Sequence, residues 1–401
     1  MIRLASLWFL VLICFSCSNR LQVLSIKDVS QLDNIPISVK DKGCRDPLNH
    51  VPDEYTVTKS IKVNVHIIDD LVGDKNFSLE AGQDFMQKMI WDGNKRLKNN
   101  KKMNLPEGND TPVLNPKYRY DVRGVLNKDD NGFYKHLEEN DPYYIAHGKH
   151  RNNYNRKILE KYNIGADTVL NIFVFPHHPD SLRSKKYKAR RTGIALGTSL
   201  KMAGMIEDGK EPWTYATLLN HEIGHILGLS HSWITNDRCD DTPKHPNCWD
   251  TTGKKPCEGS HSNNMMDYNK SQMAITPCQL GIIHKGFNTI NGKTRKLLNP
   301  NWCKLNTKDT ITIDSEIKWL GARDVNQHIV VKSGATLEVH CRLSMPENGK
   351  ITVEPDGKLI LFDALVHNSC GKTWDGIELQ SYKKRRAIIE SYGDTNIENV
   401  K

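Results

Sequence analysis

The chain has 401 residues, 38% hydrophobic and 26% charged. It is longer than one core usually needs, and its mix excludes a disordered, collagenous or polytopic membrane chain. The net charge of +9 is spread out. Its local runs, at Lys185, Lys186, Lys188, Arg190 and Arg191 and again from Lys383 to Arg386, have few interleaved aromatics, so they read as solvated loops and no nucleic-acid partner is expected.

Residues 1–17 read as a secretory signal, with Arg3 as its positive start and an apolar stretch over 4–15. That stretch falls short of the roughly 20 residues that span a bilayer. The chain is therefore expected to be exported. Cys17 follows the apolar stretch directly and resembles the acceptor of a bacterial lipoprotein signal, although Cys14 and Phe15 depart from the usual residues. Secretion and envelope anchoring through a lipid on Cys17 both stay open, and that lipid would be the membrane contact.

A polar lead or short pro-segment (18–55) precedes a strand-like run at 61–68 with apolar residues at period two. Residues 78–98 predict a helix with Leu79, Phe85, Met86, Met89, Ile90 and Leu97 near one stripe. A second strand is expected from 118 to 125, a polar and partly helical segment over 132–163, and a buried strand over 167–175. A shorter strand at 193–200 and a helix at about 213–228 follow. This order predicts a mixed α/β unit over 56–305. Beyond 306, residues 329–339 superimpose on 351–361 at an offset of 22, matching 329/351, 331/353, 337/359 and 339/361. Each copy reads strand, turn, strand and must stack to bury its apolar face. The expectation for 306–401 is a small all-β region of solenoid type, with a β-sandwich as the alternative.

The chemistry lies in His221-Glu-Ile-Gly-His225-Ile-Leu-Gly228-Leu-Ser-His231. On a helix, residues four apart share a face, so His221 and His225 can bind one Zn²⁺. Gly228 allows the helix to stop, and His231 returns as a third ligand. Three protein ligands leave a fourth position open, as in catalytic zinc. Glu222 stands beside the pair without being a ligand.

This segment resembles the metzincin zinc peptidases, whose signature is H-E-x-x-H-x-x-G-x-x-H with a later methionine turn, here Asn263-Asn-Met-Met-Asp-Tyr268. Together with Cys239-Asp-Asp-Thr-Pro243, it looks like the pappalysin (cytophagalysin-like) family, over roughly 56–290. The resemblance implies a metzincin-like fold with a twisted sheet and an active-site helix. It implies zinc on His221, His225 and His231, Glu222 as general base, Met266 as the floor beneath the metal, and Tyr268 near it as a catalytic residue. It further implies a zinc endopeptidase acting on protein or peptide through a metal-bound water, in a chain expected to be a monomer. It also implies disulfides among the loop cysteines, most simply Cys239–Cys257 and Cys248–Cys278, and calcium on Asp240, Asp241 and Thr242. Cys44 reads as half of a disulfide, with Cys303 as the favoured partner, or else as a propeptide thiolate that silences the zinc.

Overall fold

The structure, a computed structural model, describes residues 20–36, 43–105, 110–124, 130–139, 143, 156–183, 192–233, 237–242, 261–269 and 272–401. The signal at 1–17 with Cys17, the basic run at 185–191, and Cys248 and Cys257 lie outside them.

Two short strands come first, β1 (Gln22–Ile26) and β2 (Asn34–Ile35). They belong to the C-terminal sheets described below. The next strand, β3 (Lys59–Asp70), buries Ile61, Val63, Val65 and Ile67 completely and is the spine of a seven-stranded sheet. On one side it carries β4 (Tyr118–Val122) and then β5 (Phe133–Glu138), both parallel. On the other side β6 (Leu170–Phe175) is parallel to it, β8 (Ser199–Ala203) is parallel to β6, and β7 (Thr192–Leu196) is antiparallel at the edge. The short β9 (Leu298–Asn299) pairs antiparallel with the start of β3.

Two sequence expectations change here. Among the described residues of the polar segment at 132–163, the short helix (Lys157–Tyr162) is joined by an unexpected strand, β5, because Phe133 is buried where the chain runs along the second half of β3. The single strand expected at 193–200 is a hairpin, β7–β8, which turns at Gly197 in the left-handed conformation (φ 70°).

The helices among the described residues are α1 (Leu79–Lys98), α2 (Lys157–Tyr162), α3 (Pro179–Arg183), α4 (Met205–Asp208), α5 (Ala216–Ile226), α6 (Pro277–Asn288) and α7 (Lys293–Lys296). The long helix α1 starts at Ser78, whose hydroxyl accepts from the Ala81 N–H, and ends among Lys95, Arg96 and Lys98, which suit the negative end of the helix dipole. Its buried face (Met86, Met89, Ile90, Leu97) shares one core with Ile61, Val63 and Val65 of β3 and with Leu219 and Ile223 of α5.

From β10 (Thr310–Ile313) onward the chain alternates between two sheets. One receives β10, β13 (His328–Val331), β15 (Ile351–Val353) and β17 (Ile377–Tyr382). The other receives β11 (Glu316–Trp319), β14 (Thr336–Ser344), β16 (Lys358–His367) and β19 (Ile388–Tyr392). These neighbours are all parallel. Their ladders pair Ile329 with Ile351, Val331 with Val353, Leu337 with Leu359 and Val339 with Leu361, and all eight side chains meet in one core. Three two-residue strands fill in: β12 (Arg323–Asp324) on β14, β18 (Arg385–Arg386) on β17 and β20 (Asn396–Ile397) on β16. Of the late basic run, Arg385 pairs with Asp356.

The N-terminal lead closes the last turn of this stack. β1 runs antiparallel to β17, and β2 runs parallel to β19. The chain after β2 then lands beside β14, where Cys44 bonds Cys341 (Cα–Cα 5.6 Å), while Cys303 bonds Cys370 (Cα–Cα 5.9 Å). The expected Cys44–Cys303 pair is thus replaced, and no Cys44 thiolate is left to silence a metal. At the junction of the two units the buried Asp324 meets Lys59, Arg295 and Arg342, each at 2.7 Å. The Coulombic pull of Lys59, Arg342 and Arg295 holds its carboxyl far below the ordinary range against the cost of burial.

Candidate metal centre and active site

α5 follows a 3-10 turn at Pro212–Thr214 and buries Leu219 and Ile223 on the core side. His221 and His225 lie one turn apart on its other side. Leu227 caps the helix, and Gly228 then takes a left-handed φ of 98°, reversing the chain so that His231 comes back toward the pair. His225 Nε2 lies 3.2 Å from His221 Nε2 and 3.1 Å from His231 Nε2.

The far nitrogens set the tautomers. His221 Nδ1 donates to the Met265 carbonyl (2.8 Å), and His225 Nδ1 donates to the Leu229 carbonyl (2.9 Å). A carbonyl can only accept, so in neutral rings both Nε2 atoms are bare lone pairs turned toward each other. Burial, first of all, lowers all three imidazole pKa values, that of His221 to about 3 and that of His231 to about 4. Three neutral nitrogens this close repel unless a cation stands among them. Tetrahedral zinc with nitrogen at 2.0–2.1 Å sets its ligands roughly 3.3 Å apart, so the donor set fits zinc.

Glu222 is nearly buried, and its Oε2 accepts the Ala195 N–H of β7 at 3.1 Å. Burial raises its pKa to about 7. β7 is the sheet edge, so the carboxylate lies against an edge strand.

The methionine turn lies beneath the helix. Met266 is fully buried, and Met265, which supplies the carbonyl to His221, is nearly so. Asn264 holds the turn: its Oδ1 accepts the Met266 N–H (2.8 Å), and its amide donates to Gln279 (3.0 Å). Tyr268 is 39% exposed, with its ring centroid 4.9 Å from that of His231 and 5.6 Å from that of His221.

Two features were not readable from the sequence. Trp233 stacks on His231 at 4.1 Å and 14° and touches Tyr268 at 4.6 Å, closing an aromatic wall around the third histidine. Asp267, fully buried, accepts the hydroxyls of Ser232 and Ser262, which clamps the turn after His231 to the methionine turn. Asp267 was visible in Met-Met-Asp-Tyr, but nothing in the spacing named its serine partners.

The loop cysteines pair otherwise than expected: Cys239 bonds Cys278 (Cα–Cα 5.6 Å), which replaces both Cys239–Cys257 and Cys248–Cys278. This bond holds the loop after His231 to the first turn of α6. The calcium set is not supported either. Both carboxylate oxygens of Asp241 are engaged at the start of α6, accepting the Thr276 hydroxyl (2.8 Å) and the Cys278 N–H (2.9 Å). The Thr242 hydroxyl donates to Asp237, and Asp240 points to solvent.

Neither a protein-family model nor a curated protein matches the chain. Among solved structures it is similar to mirolysin in complex with compound 9, at 16% identity and a TM-score of 0.41. It is also similar to mature mirolysin of Tannerella forsythia in complex with a cleaved peptide, at 17% identity and 0.39. Each comparison covers 61% of this chain and 96% of the other.

Proposed function

We propose that the chain is a zinc-dependent endopeptidase of metzincin type, pappalysin-like in its motifs. The observation that carries this reading is the approach of the His221 and His231 Nε2 atoms to within 3.1–3.2 Å of His225 Nε2, with the Glu222 carboxyl held beside them against an edge strand.

His221, His225 and His231 hold the ion, which when bound supplies a Lewis acid that polarises a carbonyl and acidifies water. The remaining work falls to the chain. The backbone of β7 receives an extended peptide as an added strand, which orients the scissile bond beside Glu222. Glu222, with a pKa near neutrality, accepts the proton of the attacking water at its carboxylate and returns it to the leaving amine. Tyr268, at the exposed side of the histidines, donates its hydroxyl to the developing oxyanion. Met266 packs beneath the site and keeps water from the back of the helix.

The catalytic unit spans 56–305. The two-sheet region from 306 is read as a solenoid-type stack, a reading supported by the parallel pairing of successive strands. The three disulfides among the described residues suit an exported protein, and among those residues no helix is long and apolar enough to cross a membrane. A lipid on Cys17 or simple secretion completes the placement. The substrate is protein or peptide, and the working form is a monomer.

The test is cleavage of casein or a peptide library by the purified full chain. One zinc per chain, loss of cleavage with a chelator and recovery on adding zinc are expected. Glu222→Ala should keep the zinc and lose about 10²-fold or more of turnover. Chelator-resistant cleavage, or a Glu222→Ala protein with near-normal turnover, would overturn the assignment.

A further inference from the structure

The strand β1 ends its sheet with an apolar outer surface. Ile26 turns into the C-terminal core opposite Ile377, but Leu21, Val23 and Leu24 are each more than half exposed. Ile35 of β2, at the same end of the stack in the other sheet, is 49% exposed. Apolar side chains grouped along a sheet edge mark a contact surface, unlike the scattered apolar exposure of an ordinary surface.

The basic run at 383–386 stands beside them. Gln22 pairs with Ser381, and Ser381 with Arg386, so β1 and β18 flank β17 in one row. Lys383 and Lys384 make the turn between β17 and β18, next to the start of β1 and the preceding Arg20. Arg20, Lys383, Lys384 and Arg386 are exposed, and none has an ion-pair partner among the described residues. The acids nearest to them are engaged: Asp356 pairs with Arg385, and Glu378, opposite Ser25, pairs with Lys350 at 3.0 Å. In the sequence this run lacks interleaved aromatic and apolar residues. The fold supplies them, from the far end of the chain as Leu21 and Val23, and from β17 as Tyr382, whose ring lies 5.2 Å from Lys383 Nζ.

Apolar side chains rimmed by unanswered cations match the surface of an anionic bilayer, where apolar groups enter the acyl boundary and lysine and arginine meet phosphate. The open edge of β1 suits the same place, because headgroup oxygens accept its N–H groups. A second copy laid on β1 would cover the apolar side chains but set positive charge against positive charge. The chain also leads there: Arg20 is three residues beyond Cys17, a reach of at most about 11 Å, so a lipid on Cys17 would hold this surface against the headgroups.

We propose that this end of the C-terminal stack, with Leu21, Val23 and Leu24 beside Arg20, Lys383, Lys384 and Arg386, docks on an anionic phospholipid bilayer. The proposal does not rest on the peptidase reading.

The test is co-sedimentation of the chain from Ser18, which keeps every described residue but carries neither the apolar signal stretch nor a lipid. It is spun with phosphatidylglycerol–phosphatidylcholine vesicles and with phosphatidylcholine vesicles. Binding to the anionic vesicles about tenfold tighter or more, weakening as salt rises, is expected. Lys383→Glu/Lys384→Glu and Val23→Ser/Leu24→Ser should each weaken it about tenfold or more at an unchanged melting temperature, showing that charge and apolar contact both count. Lys95→Glu/Lys98→Glu, which makes the same charge change on exposed positions of α1, should bind like the parent. Equal loss in the two lysine pairs would reduce the effect to net charge and overturn the proposal. So would equal binding to both kinds of vesicle, binding to neither, or self-association of the chain that Val23→Ser/Leu24→Ser abolishes while vesicle binding stays as it was.

Discussion

The sulfur of Met266 fills the space that a side chain at Gly224 would need: a Cβ there would lie 2.5 Å from Met266 Sδ and 3.2 Å from Met265 Cε. The bare backbone at 224, between His221 and His225 in the helix, lets the methionine turn press directly against α5. That contact also brings the Met265 carbonyl to His221 Nδ1.

Gly224→Ala should therefore destabilise the fold by about 1–3 kcal/mol through overpacking, although alanine is favoured over glycine inside a helix by roughly 1 kcal/mol. Zinc affinity should fall with it, since the helix must move away from the turn that orients His221. Urea unfolding with zinc present, together with a competition measurement of zinc affinity, reads both effects. A variant as stable as the parent with unchanged zinc affinity would show that the turn has room to yield.

Trp233 presents its face to His231, whose far nitrogen lacks, among the described residues, the carbonyl partner that fixes the other two histidines. Its plane is then what sets the orientation of that imidazole. Trp233→Ala should weaken zinc binding about 10–100-fold, the usual effect of removing support behind a ligand, and Trp233→Phe should restore most of it. If alanine and phenylalanine behave alike, stacking is not what positions His231.

At the junction, Asp324 is the anion shared by Lys59, Arg295 and Arg342. Its carboxyl is depressed in the folded chain, so the folded state binds fewer protons than the unfolded one in acid. The resulting stability is fully present above the unfolded value of about 4 and drains away as pH falls below it. Asp324→Asn should cost about 3–5 kcal/mol near neutrality, because it leaves buried cations unpaired. The gap between parent and variant should narrow from about pH 4 downward in denaturant titrations. A gap independent of pH would mean that packing, not charge, accounts for the loss.

How much was legible in the sequence followed the distance over which each feature is decided. The three histidines proposed as ligands and Glu222 lie within eleven residues on one helix and the turn after it, and Gly228 announces that turn. The repeat was legible because its offset of 22 residues is one circuit of the two sheets. Gly334 and Asp356, also 22 apart, both take left-handed angles at the same corner (φ 81° and 67°), which is why glycine and aspartate stand there. The disulfides were not legible, since partners 39, 67 and 297 residues apart are chosen by tertiary proximity alone. Nor was β1, whose Val23 and Leu24 are exposed, so that no burial pattern marked it as a strand.

That last strand leads to a prediction about the N-terminal lead. As a pro-segment it would cover the proposed catalytic site, and its removal would raise activity. Instead β1 supplies a full antiparallel partner to β17 from Gln22 to Ile26, and β2 pairs with β19. Ile26 is buried in the C-terminal core beside Ile377. Deleting residues 20–36 should therefore bare the edges of β17 and β19, lower the melting temperature and promote association through those edges. Specific activity per zinc-loaded chain should not rise. Calorimetry, light scattering and peptide cleavage on the same preparation measure all three. A deleted protein that stays monomeric, melts like the parent and cleaves faster would return the lead to the role of an inhibitory segment.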